Sequence, residues 1–250
     1  FVIGALTLSM NFSVGLGFFI VAPITPLIIE DYGVSRSAAS LLTGMVMLVQ
    51  SGFAIPGSML VGRVPLKWLI AFAWVACAAP TLSFLAHQFF ILLGLRVVYG
   101  LGLAVLFPSM APLLMRWFPP KELPLINGLN IAVVSLGVAL TTFTMAPLAQ
   151  VIGWKVALSL FSIVPLVGAA LWVIFGRVPV TVEQGERHLS LAGLWGVIRA
   201  RATLLLAFAD AGAFAQYLAL TTWLPTFYFE VHGLSLNQAG AAVGLLPLTG

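Results

Sequence analysis

Seven uninterrupted apolar runs decide what this chain can fold into. They lie at about 1–29, 38–62, 67–86, 89–115, 123–152, 156–175 and 202–229, and an eighth begins at residue 236. Each reaches the ~20 residues that an α-helix needs to cross the hydrocarbon of a bilayer. They are too long and too unbroken for the tilted, alternating strands of a membrane barrel. With 61% hydrophobic and 7% charged residues, against about 45–50% and 25% in soluble domains, the chain has too little polar surface to stand in water. The expected fold is all-α: a polytopic bundle of transmembrane helices.

The formal net charge of +4 comes from eleven basic and seven acidic side chains, too sparse and scattered for a nucleic-acid surface. Their placement sets the topology. Arg63, Lys67, Arg116, Lys121, Arg177, Arg187, Arg199 and Arg201 fall on one side of the layer, Arg36 and Lys155 on the other, and Arg96 within a span. Basic connections stay in the cytoplasm, so the first span runs outward. The expected location is the inner (plasma) membrane, crossed many times.

Several chemistries lack their residues. The single cysteine, Cys77, excludes an internal disulfide, and His87, His188 and His232 have no second ligand at metal spacing, so no metal is expected. Gly15-Leu16-Gly17 and Gly100-Leu101-Gly102 sit inside spans with no strand before them, and no Walker lysine follows. Neither a nucleophile elbow nor paired carboxylates appear. The reading is therefore no enzyme, no cofactor and no nucleic-acid partner.

Displaced by 200 positions, the sequence places Glu30 on Glu230, Gly33 on Gly233, Ser35 on Ser235, Ala39 on Ala239 and Gly44 on Gly244. Two connections built alike, separated by six spans, indicate parallel repeats. Residues 1–176 form a six-helix half, 177–201 a cytoplasmic linker with Glu183, Glu186, Arg187 and His188, and 202–250 the start of a second half. The chain begins at Phe1 and ends in an apolar run, so further helices are expected beyond it.

These features resemble the major facilitator superfamily across the whole length. Residues 55–67 look like a worn copy of its first cytoplasmic signature: Arg63 and Lys67 keep basic positions, Gly62 stands where an aspartate is usual and Pro65 where a glycine is. Arg96 followed by Gly100 and Gly102 is similar to the family's membrane-embedded arginine. The 116–122 connection and the Gly153, Trp154, Lys155 turn also fit. Thr222, Trp223, Leu224, Pro225 and Thr226, then Gly233, Ser235 and Ala239, resemble the cyanate and nitroimidazole permease branch. Ser135-Leu136-Gly137-Val138 lacks the Gly-Pro pair of drug:proton antiporters. The resemblance implies a secondary active transporter of a small solute, working by alternating access as a monomer, with a proton as coupled ion and with Gly57, Arg63 and Lys67 in a gating loop.

Two ionisable residues lie away from the span ends. A guanidinium stays charged and forks toward carboxylate-like oxygens, so Arg96 is a candidate for holding an anionic solute; its rival role is bonding carbonyls of a neighbouring helix. Asp210 is a candidate proton carrier. Tyr217 and Thr221 share a helical face with Asp210 and Phe214 and are expected along the route. Asn11 and Asn130 are further candidates for contacting solute, although amides and small residues also pack helices together. Drug or metabolite efflux, and a non-transporting receptor or assembly protein of the same fold, stay open as alternatives.

Overall fold

In hydrocarbon a backbone N–H or C=O finds no partner except along its own helix, so each apolar run is driven to wind up. The computed structural model describes residues 2–61, 63–179, 196 and 199–246. Among them seven helical spans are long and apolar enough to cross a membrane: Val2–Tyr32, Arg36–Leu60, Leu66–Leu85, Phe89–Trp117, Leu123–Ile152, Trp154–Phe175 and Arg201–Glu230. A shorter helix, Leu236–Gly244, closes the described chain. Gly62, Glu183, Glu186, Arg187 and His188 lie outside the described residues.

Three spans expected to be continuous are broken, each next to a proline that cannot donate to the preceding turn. The first stops as α-helix at Phe18, passes through a 3-10 turn at Ala22–Ile24 and resumes at Thr25–Tyr32, with Pro23 and Pro26 opening the two later pieces. The third is α-helical over Leu66–Cys77 and 3-10 over Ala79–Leu85, where Pro80 stands at the start. The sixth divides into Trp154–Phe161 and Val164–Phe175 before Pro165.

Small residues set how closely the spans approach. Gly15 of the first span lies against the Val134 carbonyl of the fifth, and a methyl added at Gly137 would stand 2.6 Å from the Phe12 carbonyl oxygen. The second and fourth spans meet through Gly57, under the Ala104 carbonyl, and Gly100, where a methyl would come 3.0 Å from the Val46 carbonyl oxygen. Such glycines let backbones touch, which is how helices gain dispersion contact when lipid removes the hydrophobic drive. Trp74 and Trp172 are fully buried and keep their indole N–H groups satisfied, donating to Ser13 Oγ at 3.1 Å and to the Lys67 carbonyl at 2.8 Å. Large apolar side chains such as Phe72, Phe90, Ile174 and Phe208 point outward.

The two repeated connections have the same geometry. Gly33 (φ 61°) and Gly233 (φ 64°) take the left-handed conformation that a side chain disfavours. Two residues on, Ser35 accepts from the Ala38 amide at 3.1 Å and Ser235 from the Gln238 amide at 3.3 Å, each capping the next helix.

If glycine contact sets the spacing of the first and fifth spans, Gly15→Ala forces a backbone shift and lowers stability by about 1–3 kcal/mol. Gly94, with open space around it, serves as the control. Melting of the detergent-solubilised protein is expected to fall for Gly15→Ala and to stay within error for Gly94→Ala.

Candidate functional site

The break in the first span leaves carbonyls at Gly17 and Phe18 beyond the last full helical turn, where no intrahelical donor reaches them. Arg96 of the fourth span supplies the donors. Its Nη1 gives a hydrogen bond to the Gly17 carbonyl at 2.8 Å, Nη2 to the Phe18 carbonyl at 2.9 Å, and Nε to the Leu42 carbonyl of the second span at 3.0 Å. The guanidinium carbon lies 4.9 Å from the centre of the Tyr99 ring, and the Tyr99 hydroxyl donates to the Val14 carbonyl at 3.2 Å. Gly17 admits this approach, since a methyl there would stand 2.8 Å from the Tyr99 hydroxyl oxygen.

Arg96 is 0% exposed and is the one charged side chain buried among the described residues. No carboxylate pairs with it among those residues, where the two ion pairs are Arg36–Glu230 and Lys155–Asp31. In this conformation three of the side chain's N–H groups are engaged by backbone carbonyls.

The other candidates are spread along the spans. Tyr217 sits on the outer half of the seventh span and meets Phe19 edge-on, ring centres 5.6 Å apart, while Phe214 meets Phe18 at 6.5 Å. Thr221, one turn further out, is fully buried. Asp210, one turn inward of Phe214, is exposed. The expected face of Asp210, Phe214, Tyr217 and Thr221 thus runs from an exposed inner end to a closed outer end, against the break in the first span. Asn11 is half-buried, donates to the Thr7 carbonyl at 2.9 Å, and borders a small crevice with Met10, Leu106, Phe107 and Met110. Asn130 is buried, and its Oδ1 has no hydrogen-bond partner. The structure brings Tyr217 to the region that Arg96 organises; it does not bring Asp210 and Arg96 into an ion pair.

The expected gating loop is shorter than its motif. The second span stays helical to Leu60, so Gly57 is a buried packing residue rather than a loop residue. Arg63 is exposed in the turn, and Lys67 is in the first turn of the third span, its carbonyl accepting from Trp172. Sequence reasoning missed Phe18 and Phe19 as partners of the seventh span and Arg36 as the partner of Glu230. Pro23 was the available signal for the first, and the paired Glu30/Glu230 connections for the second.

Long apolar helices, three of them kinked, around the one charged side chain buried among the described residues make a polytopic membrane protein. The sequence profile of the Major Facilitator Superfamily matches residues 7–250, and the chain belongs to that family. It is a multi-pass protein of the inner membrane. It is 26% identical over 245 residues to the nitrite extrusion protein of Bacillus subtilis, covering 92% of this chain and 58% of that protein. It is 24% identical over 227 residues to the probable nitrate transporter NarT of Staphylococcus carnosus, covering 90% and 57%. The crystal structure of a bacterial homologue of the human lysosomal transporter Spinster, inward-facing and unoccupied, superposes with a TM-score of 0.79 at 19% identity, over 98% of this chain and 59% of that one. The chain spans less than two thirds of the length of these relatives.

Arg96→Gln removes charged donors from the carbonyls of Gly17, Phe18 and Leu42 and is expected to cost about 2–5 kcal/mol. Arg96→Lys keeps the charge but lacks the planar fork, and is expected to fall between the two. Thermal denaturation in detergent reads the order; equal stability of all three would show that the carbonyls need no guanidinium.

Proposed function

We propose that this chain forms the first half and the start of the second half of a secondary transporter for a small inorganic or organic anion of the nitrate and nitrite type, working by alternating access with a proton as coupled ion. The observation that carries the reading is Arg96: a buried cation in the outer third of the bundle, compensated by carbonyl dipoles and, among the described residues, by no carboxylate. Three of its five N–H groups are engaged, so its charge still acts on its surroundings. At an effective dielectric of about 20, a unit charge attracts an anion about 10 Å away by about 1.7 kcal/mol. That favours a negative solute at the midplane without requiring contact in the conformation described. Relatives named for nitrite extrusion and nitrate transport point the same way.

Alternating access is supported by how the seventh span meets the first. Contact is made by Phe214 and Tyr217, whereas residues 204–213 further inward are exposed. Contact at the outer end with exposure at the inner end fits an inward-facing state, the state of the Spinster homologue's crystal structure. In this reading Tyr217, Thr221, Asn11 and Asn130 offer neutral hydrogen-bonding groups to the solute. Asp210 is the acidic residue of the chain that lies away from any span end, and takes the proton. Arg63 and Lys67 stand at the inner gate.

The test uses the complete protein in proteoliposomes, measuring uptake of nitrate, nitrite, a short carboxylate and a neutral solute with and without a pH gradient. Gradient-driven accumulation of an anion is expected. Asp210→Asn is expected to abolish accumulation about tenfold or more while leaving anion exchange intact. Uptake of the neutral solute alone would overturn the anion assignment, and accumulation undiminished in Asp210→Asn would overturn the proton role.

A further inference from the structure

We propose that a groove between the inner ends of the first, fourth and sixth spans holds one anionic glycerophospholipid of the cytoplasmic leaflet, with an acyl chain on its apolar walls and the phosphate on Arg177. The site does not depend on which solute is carried.

The groove has a volume of about 470 Å3, within the ~300–1,000 Å3 range of small-molecule sites. Val2 and Ile3 of the first span, Trp117 and Phe118 at the end of the fourth, and Ile174 and Phe175 at the end of the sixth form its walls. A methyl at Gly4 would meet the Phe118 ring at 3.6 Å, so the first and fourth spans are already in van der Waals reach beside it. Val2, Trp117, Ile174 and Phe175 are exposed, which leaves the groove open to its surroundings. Water gains no hydrogen bonds from such walls. At the inner ends of membrane spans the surroundings are the border between acyl chains and headgroups, the level at which an indole such as Trp117 is at home.

The rim is cationic. Arg177 is the charged residue that lines the groove, and its backbone is held on two sides. Its carbonyl accepts from Trp117 Nε1 at 2.9 Å, and the next residue, Val178, packs against the main core. Neither Arg177 nor Arg116, the neighbour of Trp117, has a carboxylate partner among the described residues, whose two ion pairs are Arg36–Glu230 and Lys155–Asp31. Up to Val178 the inner ends of the spans carry Arg63, Lys67, Arg116, Lys121 and Arg177 against one acid, Glu122. A guanidinium takes a phosphate through two N–H groups of its fork, and the cytoplasmic leaflet presents anionic phosphates at that level. Free phosphate would use the rim and leave the walls bare. A zwitterionic lipid would cover the walls and bring a second cation to the rim. Apolar walls and an unpaired guanidinium together select an anionic lipid.

The complete protein, purified in a mild detergent, is titrated with phosphatidylglycerol or with phosphatidylcholine of the same chains, and bound lipid is counted by native mass spectrometry. Phosphatidylglycerol is expected to be retained about threefold more tightly or better. One basic side chain near the surface shifts lipid affinity about fivefold, so Arg177→Gln is expected to bring the two lipids to near parity. Lys121→Gln, on the same side but outside the groove, is expected to keep the preference. Val2→Trp fills the groove from an exposed position and is expected to abolish saturable binding of either lipid.

If Arg177→Gln fails to fold, ionic strength replaces it: raising salt should narrow the preference of the unaltered protein. Preincubation with inorganic phosphate is expected to leave lipid binding unchanged; displacement would mark a plain anion site and overturn the proposal. Equal retention of both lipids, a preference that survives Arg177→Gln, or full binding in Val2→Trp also overturns it. The readout needs no solute, so lipid binding as expected in a protein without anion uptake would sink the transport reading and leave the lipid site standing.

Discussion

A carbonyl left without a donor in hydrocarbon costs several kcal/mol, and the first span creates such carbonyls by breaking at Phe18. Arg96 answers that deficit with one planar group whose fork reaches the first and second spans together. The expense of burying its charge is offset by the dipoles it gathers. Tyr99 and Gly17 complete the joint, the one by its ring beneath the guanidinium and its hydroxyl on Val14, the other by having no side chain in the way. With this joint in place, Phe18 and Phe19 stand where the seventh span can meet them.

The same economy governs the contacts between helices. Where the first and fifth, and the second and fourth, spans must stay together, glycine on one side rests on backbone of the other, at Gly15, Gly137, Gly57 and Gly100. Thr141 Oγ1 donates to the Leu16 carbonyl at 3.1 Å and adds a polar tie to the first of these pairs. Backbone contact recurs at Gly240, where the final helix meets the fifth span. The polar tie there, from Asn237 to Gln150, is exposed rather than buried.

Much of this was legible in the residues. Apolar run length placed the spans to within a few positions because hydrocarbon thickness admits little else. Glu30, Gly33 and Ser35 matched Glu230, Gly233 and Ser235 because a left-handed glycine followed by a serine cap is a local solution that sequence states directly. The break in the first span was less visible: Pro23 and Pro26 sit in a run whose hydropathy never falters, and hydropathy does not register a missing N–H. Arg96 was recognised as unusual, but whether its donors face a cavity or carbonyls depends on three helices distant in sequence. Gly57 read as part of a loop motif because that motif straddles the end of a helix. The pairing of Arg36 with Glu230 was hidden for the plainest reason, since charge alone does not name its partner across 194 positions.

Pro23 and Pro26 have one more consequence. Neither can supply the N–H that would restore regular winding at Phe19 and Ala22, so the first span cannot straighten into one continuous α-helix. The seventh span therefore meets the first at an elbow rather than along a straight helix face.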